Sequence, residues 1–495
     1  MVKLPPTFTL LLFLAVALAD SATEATIVSC LHDSGLEVDD PQSPDWQNAT
    51  TPFNTKFHWI PAAIVYPRQA SDVKNAVLCA VEHKVHVSAL SGGHSYSASG
   101  YGSRDGALVV SFRNMRQISY YSSDNTVLVQ PGIHLGDFAL ALYTKYRRAM
   151  AHGICPFVGL GGHVGFGGWG LSSRSWGLLI DQIEGAELVQ ANGNIIHVSA
   201  TENPDLFWAI RGASSAYGIV TQYKMRTQKA PDSVIRFAFN FIDPDRSPDK
   251  FARVLSAYQD WSLTAPKEIG IVINVWQFGR TLEMTGYYLG NRTDFDPVAK
   301  SLLGATGQPN TTYMQERAWI LALIEANGGT NLSTEGIPEP HDTFYAKSLT
   351  VSTKVPLAHD SFINLAKFFT SASVPNNFSW FIQFELWGGG NSAISSVHGN
   401  ATAYPHRDHH WVCQFYGRSN GSWPSQGTAF VDGLVNAVTG MQAKDFGAYA
   451  NYLDPYLAQW QEKYYADNYP HLSKIQQETD PSGVFLKAQN IGAAK

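Results

Sequence analysis

Charge is scarce in this 495-residue chain: Asp, Glu, Lys and Arg make up 15% of it, against 44% apolar residues. A chain with so much to bury is not a disordered one. Long apolar runs are missing as well, since after the first twenty residues none could cross a bilayer, which excludes a membrane-spanning body. Basic residues are not in excess; the formal net charge is -6, which argues against nucleic acid or an anionic membrane as a partner. Internal repeats and low-complexity tracts are also lacking. What remains is a folded chain longer than one hydrophobic core usually supports, so two domains, or one with a substantial insertion, are expected.

The start differs from the rest. Met1-Val2-Lys3 precedes an apolar run over 10–17 and the small residues of Ala17-Leu18-Ala19, the pattern of a signal peptide cleaved after Ala19. Losing the single positive charge of Lys3 takes the net charge from -6 to -7. Only four cysteines occur: Cys30, Cys79, Cys155 and Cys413. In an oxidising compartment Cys30, near the mature N-terminus, and Cys79, on an expected helix, form a candidate disulfide, although the spacing leaves the pairing open. Seven Asn-x-Ser/Thr sequons stand at Asn48, Asn291, Asn310, Asn331, Asn377, Asn400 and Asn420. They fit a secreted glycoprotein in which some are occupied.

From about residue 60 the pattern is α/β: an extended 63–66, a helix with Ser71 as its N-cap, and a strand at 85–87 that empties into Ser91-Gly92-Gly93-His94-Ser95. A strand over 108–112 and a Leu- and Ala-rich helix over 135–146 follow, then the densest glycine stretch, 159–170. Asn192-Gly193 between two apolar segments predicts a hairpin with a type I′ turn, and Asn203-Pro204 opens a short helix. After about residue 230 strands alternate, such as 269–276 and 380–386, with helices near 250–264 and 356–370; this reads as an antiparallel-sheet domain. A helix near 456–477 dominates the last unit.

Two glycine-rich turns in one α/β region suggest a dinucleotide, because backbone N–H groups without Cβ neighbours can approach phosphate; close backbone packing is the plainer reading of either turn alone. Gly165, Gly167 and Gly170 have the spacing of a Rossmann fingerprint, but no strand leads in and no long helix leads out, which argues against a nicotinamide site. Gly417-Arg418-Ser419-Asn420-Gly421 imitates a hydrolase nucleophile elbow without its strand-to-helix setting. His406, His409 and His410 have no cysteine or acidic cluster beside them and read as structural; no metal site is expected.

Four segments carry a resemblance. Ser91-Gly92-Gly93-His94-Ser95-Tyr96, the run from His152 through Cys155-Pro156 to His163, Asn203-Pro204-Asp205-Leu206-Phe207-Trp208 with Arg211-Gly212, and Tyr449-Ala450-Asn451-Tyr452 with Asp454 occur in that order. The chain thereby resembles berberine-bridge-enzyme-like flavoproteins of the vanillyl-alcohol-oxidase superfamily, most of all the fungal gluco-, chito- and xylo-oligosaccharide oxidases. The likeness runs from about Cys30 to the C-terminus. It implies an α+β fold in which a two-part FAD-binding domain joins a substrate domain built on a large antiparallel sheet covered by helices. The implied divisions are a signal peptide at 1–19, an FAD domain at 20–229 (core about 57–229), a substrate domain at 230–447, and a 448–495 segment completing the FAD domain and the active site.

The resemblance implies FAD held by two covalent bonds, from His94 to the flavin 8α-methyl and from Cys155 to C6. An imidazole and a thiolate are nucleophiles suited to electron-poor flavin positions, and two bonds raise the potential and prevent cofactor loss outside the cell. Ser91, Gly92, Gly93, Ser95, Gly161, Gly162, Val158, Gly218 and Val220 are the further implied cofactor contacts. Tyr452 is the implied base, with Glu385 as its carboxylate partner where the family's sugar oxidases carry an aspartate. Tyr96, Gln383, Gln414 and Tyr416 match substrate positions, and Arg418 stands where a smaller polar residue is usual; the plain alternative for these strand residues is a solvated sheet face. The implied reaction is hydride transfer from a sugar's anomeric C1 to flavin N5, giving a lactone, with O2 reoxidising the flavin to yield hydrogen peroxide. Val158, three residues after the cysteine, is compatible with oxygen access. A quinone-dependent dehydrogenase and a secondary-metabolite or alcohol oxidase are the alternatives, and a monomer is expected.

Overall fold

The computed structural model describes residues 26–243, 245–277, 281–329, 331–440 and 445–492. The expected signal peptide lies outside them. Apolar runs too short for helices become strands of three sheets, alongside a minor two-stranded one. In the first sheet Leu108–Ser111 runs parallel to both Ala63–Val65 and Val87–Leu90, and Val38–Asp39 pairs antiparallel at its edge. The helix Ala70–Glu82 packs its Val73, Ala76, Val77 and Ala80 face into the core of this sheet. A second, antiparallel sheet has the order Ile118–Tyr121, Thr126–Val129, Ile219–Arg226, Ile183–Val189, Ile195–Ser199.

The largest sheet is antiparallel throughout and has seven strands in the order Thr311–Ala318, Ser233–Ile242, Thr281–Tyr288, Ile269–Trp276, Phe378–Leu386, His409–Ser419, Thr343–Ser352. Successive strand side chains point to opposite faces, and here the period sorts them cleanly. Ile269, Ile271, Ile273 and Val275, with Ile382, Phe384, Trp411, Cys413 and Phe415, pack under the helices Pro248–Ser262, Arg292–Thr306, His359–Ser371 and Gly427–Thr439. Their neighbours Asn274, Gln383, Glu385 and Gln414 therefore face the other way.

Local details differ from expectation for identifiable reasons. Ser71 is not the N-cap; Gln69 holds that place, and the Asp72 carboxylate reaches back to the Arg68 N–H. The strand expected at 85–87 is Val87–Leu90, because the Val85 N–H still closes the preceding helix on Ala80 and the His86 ring pairs with the Gly483 carbonyl. The 183–199 hairpin forms, but only Gly193 has a positive φ (+79°), and Gly193 N–H donates to Gln190 O; the loop is a type I turn closed by a left-handed glycine rather than type I′. The single C-terminal helix is two, Trp460–Tyr465 and Tyr469–Thr479, broken where Ala466 takes φ +44° and Pro470 starts the second. Cys30 and Cys79 form the disulfide, with Cα atoms 5.9 Å apart. All seven sequon asparagines are exposed. No described helix is long and apolar enough to cross a membrane.

One side chain ties the glycine-rich region to the large sheet. Arg174, 1% exposed, donates to the carbonyls of Ala265, Pro266 and Ile269 on one side and Gly388 and Gly389 on the other, at 2.7–3.2 Å. Burial lowers its guanidinium to about 10, so it stays a cation at neutral pH. Arg174→Met leaves these carbonyls unpaired and should lower unfolding stability by about 3 kcal/mol or more, read as a shift of the denaturation midpoint. Lysine, with three donors instead of five, should recover only part of the loss.

Candidate active site

The unhelical face of the large sheet carries a polar row in register. Asn274 pairs with Gln383, and Gln383 with Gln414. Gln383 donates to Asn274 Oδ1 at 2.9 Å, Asn274 donates to Glu283 Oε2 at 3.1 Å, and Gln414 donates to Tyr96 Oη at 2.5 Å. Beside this row runs an aromatic one. Tyr416 stacks on Phe344 and Phe381 at centroid distances of 4.5 and 4.8 Å, and Phe381 leads to Trp276, which is 45% exposed. Tyr416 Oη donates to Asp342 Oδ2 at 2.9 Å. Arg418 shares this face but sits four residues beyond Gln414, exposed and bonded to Ser379 Oγ, so it belongs to the rim rather than the centre.

At the inner end of the row stands Glu385, 2% exposed. Its Oε1 accepts from Tyr452 Oη at 2.5 Å and its Oε2 from Trp387 Nε1 at 3.0 Å. Burial pushes the carboxyl up to about 7, while the two hydrogen bonds pull it down. Tyr452 lies on a one-turn 3-10 helix, Ala450–Tyr452, fixed by its neighbours: Asn451 Nδ2 donates to His163 O and Tyr449 Oη, and Tyr449 Oη accepts from the Gly168 N–H. Its ring stacks on Tyr96, 5.5 Å between centroids and 13° from parallel. Burial, and then the Glu385 charge, hold both phenols above the usual range.

Below the two tyrosines opens a cleft between the glycine segments, with about 1470 Å³ of empty space including the solvent at its mouth. Ser91, Gly92, Gly93, His94 and Ser95 line one wall, Val158, Gly161 and Gly162 another, and Gly218 and Val220 the far end. Gly92 is required for loop packing more than for open access: a Cβ there would lie 2.4 Å from Gly159 N. Gly162, whose Cβ would meet nothing within 4 Å, is the glycine that leaves the wall open. Ser91 Oγ donates to Pro131 O and accepts from Gly161 N–H, and Ser95 Oγ bonds Ser99, so both hydroxyls hold the loops in shape. His94 stacks on Phe53 at 4.0 Å. Burial holds its imidazole down to about 3, and its Nε2 is buried without a hydrogen-bond partner. Cys155 is a partly buried free thiol pushed up by burial, with the Phe157 and Val158 N–H groups pulling the other way. It does not line the cleft directly.

Of the histidine group, His406 Nε2 bonds Lys463 O and His410 Nε2 bonds Ser262 Oγ, while Nδ1 of His409 and of His410 is buried without a hydrogen-bond partner. Sequence reasoning missed Trp387, Asn274, Glu283 and Asp342, and gave Asn451 no role of its own. Asn274 had a signal, a polar residue inside an apolar strand, but only strand pairing puts it opposite Gln383.

A family model described as an FAD binding domain matches residues 61–199, and one described as berberine and berberine like matches 448–492. The xylooligosaccharide oxidase of Thermothelomyces thermophilus is 36% identical, with 99% of each chain covered. The chain belongs to the berberine-bridge-enzyme-like FAD-linked oxidoreductases. Among solved structures, the xylooligosaccharide oxidase of Myceliophthora thermophila in complex with xylobiose superposes with a TM-score of 0.89 at 35% identity, covering 95% of this chain and 100% of that one. The glucooligosaccharide oxidase of Acremonium strictum, which has a 6-S-cysteinyl, 8α-N1-histidyl FAD, superposes with a TM-score of 0.88 at 31% identity, covering 94% and 99%.

The chain is thus an FAD-dependent oxidoreductase, and its cleft fits the cofactor of a berberine-bridge-like enzyme. The buried, unpartnered Nε2 of His94 and the open wall at Gly162 fit a flavin dinucleotide, and among the described residues the lining has no aspartate or glutamate to repel its diphosphate.

Glu385 generates a test of its own. Its folded value lies above the usual carboxylate value of about 4.5, so the folded state favours the protonated carboxyl. That contribution is present below about pH 4.5 and is lost as pH rises through about 7. Glu385→Gln should therefore gain stability relative to wild type between about pH 4 and pH 8, by up to about 3 kcal/mol, measured by chemical denaturation at the two pH values.

Proposed function

We propose that this enzyme is a secreted oligosaccharide oxidase that converts the anomeric C1 of a sugar's reducing end to a lactone. FAD is held through His94 and Cys155 in this reading. The observation that carries it is the Tyr452–Glu385 hydrogen bond, 2.5 Å long, at the head of a row of amide and phenol groups flanked by stacked aromatic rings. Pyranoses present equatorial hydroxyls to amides and flat C–H faces to aromatic rings, and this surface offers both. An oxidase of apolar alcohols or secondary metabolites would not need Gln383, Asn274 and Gln414 side by side.

Bound FAD supplies the two-electron acceptor for the hydride that leaves C1. Tyr452 Oη takes the anomeric hydroxyl proton while its own proton passes to Glu385 Oε1. A phenol whose acidity is depressed by burial cannot do this alone, so the ionised carboxylate is the eventual proton acceptor. Trp387 Nε1 holds the second carboxylate oxygen. Tyr96, oriented by Gln414, covers one face of Tyr452, and Gln383 and Gln414 position the ring hydroxyls. Water then opens the lactone to an aldonic acid.

His94 is held neutral by burial, the protonation state a nucleophile needs. With Val158 beside the cleft, O2 is the proposed electron acceptor, and each sugar oxidised yields one H2O2. The disulfide and the exposed sequons support secretion, with residues 1–19 as the leader and 20–229, 230–447 and 448–495 as cofactor, substrate and closing segments.

Tyr452→Phe should slow flavin reduction by about 10²-fold or more in single turnover, whereas unchanged reduction removes Tyr452 as base. The wild-type reduction rate should rise with pH through a midpoint near 7 as Glu385 ionises, and Glu385→Gln should be slow and flat across that range, in stopped-flow measurements. Acid-precipitated protein should retain its yellow colour in the His94→Ala and Cys155→Ala single variants and release it in the double variant. Stoichiometric peroxide from cello-, xylo- or chito-oligosaccharides identifies the oxidase; quinone reduction without peroxide overturns that part.

A further inference from the structure

Among the described residues lining the flavin cleft there is no aspartate, glutamate or arginine, and one lysine, Lys487. Its side chain is only 8% exposed. Its ammonium meets a single partner, Ser88 Oγ at 3.1 Å, and no carboxylate pairs with it among the described residues. Ser88 spends its own proton on Ser99 O, so it serves Lys487 only as a neutral acceptor. Lysine is almost never buried without an anion, because desolvating the charge costs more than one hydroxyl returns. Burial accordingly pushes the ammonium down to about 8.

The backbone that carries this side chain is firmly placed. Asp480 accepts from the Val484 and Phe485 N–H groups at 2.9 Å, the Val87 N–H donates to Val484 O, and Asn490 Nδ2 donates to Phe485 O. Lys487 is therefore held in the cleft by the fold around it, with ammonium protons to spare. The other basic groups in the lining, His94 and His163, are both held neutral by burial, down to about 3. FAD brings two negative charges in its diphosphate, and the cleft has one full cation to meet them.

We propose that Lys487 is the counter-cation of the FAD diphosphate, recruited from the C-terminal segment into the cofactor cleft. The inference rests on the cleft being the flavin site and is independent of the sugar. An ammonium that is unpaired in the flavin-free protein becomes paired when the dinucleotide binds, and charge-assisted hydrogen bonds of this kind are among the stronger polar contacts. Riboflavin, which has the same ring system and no phosphate, gains nothing from Lys487.

The test uses the full chain with His94→Ala and Cys155→Ala, so that flavin binds reversibly, titrated with FAD and with riboflavin by fluorescence. Adding Lys487→Met should weaken FAD by about tenfold or more, equivalent to about 1.4 kcal/mol, and leave riboflavin unchanged; Lys487→Arg should restore most of the FAD affinity. In flavin-free protein the methionine variant should melt at or above the parent temperature, since it removes an unpaired buried charge. Lys487→Gln serves as a second variant should methionine not fold. Equal FAD affinity with and without the lysine, equal weakening of FAD and riboflavin, or a lower flavin-free melting temperature in both variants overturns the proposal. A parent that binds neither flavin overturns the reading of the cleft itself.

Discussion

The structure turns on a hydrogen bond between two acids, the half-buried Tyr452 of the C-terminal segment and the buried Glu385 of the large sheet, 67 residues apart. A carboxylate sealed from water is costly unless donors satisfy it, and here one donor is the phenol itself and the other is the Trp387 indole. Without Tyr452 the carboxylate keeps only the Trp387 donor, so the return of the C-terminal segment to the sheet completes its hydrogen bonding. The segment is held there by Tyr449 N–H on Ser348 Oγ and by the Lys347–Asp454 ion pair at 2.9 Å. The same low dielectric that makes the pair expensive brings Glu385 near neutrality, where a proton can move in either direction.

The second constraint is the two-residue period of the large sheet. One face is committed to aliphatic and aromatic packing under the helices, which leaves the other free to carry amides, a carboxylate and an aromatic shelf in register. The scaffold is thus rigid where the chemistry needs alignment. Arg174 extends that rigidity by fastening the glycine-rich region to the ends of the two central strands through carbonyls alone. The flavin cleft and the polar row consequently meet at a fixed place, the stacked pair Tyr96 and Tyr452.

Much of this was legible in advance, for separable reasons. Strands such as Ile269–Trp276 and helices such as Leu135–Tyr146 announce themselves because burial imposes a period that no other structure shares. Turn chemistry was less legible: Asn192-Gly193 marks a hairpin, yet which glycine-compatible turn forms depends on how Gln190 and Asn194 pair. The break before Tyr469 was hidden because Pro470 can begin a helix as readily as it ends one. The place of Arg418 was not legible, because its bond to Ser379 Oγ depends on which strand lies beside its own.

Local order and composition by themselves determined the family and the two glycine turns, and singled out His94, Cys155 and Tyr452 as the residues its motifs carry, because those depend on residue types at short spacing. Tertiary structure alone decided that Glu385 loses water and meets Tyr452, that Gly92 serves packing while Gly162 keeps the wall open, and that Lys487 stands in the cleft without a carboxylate. Desolvation and pairing are properties of what surrounds a group from every side, and residues far apart along the chain supply those surroundings.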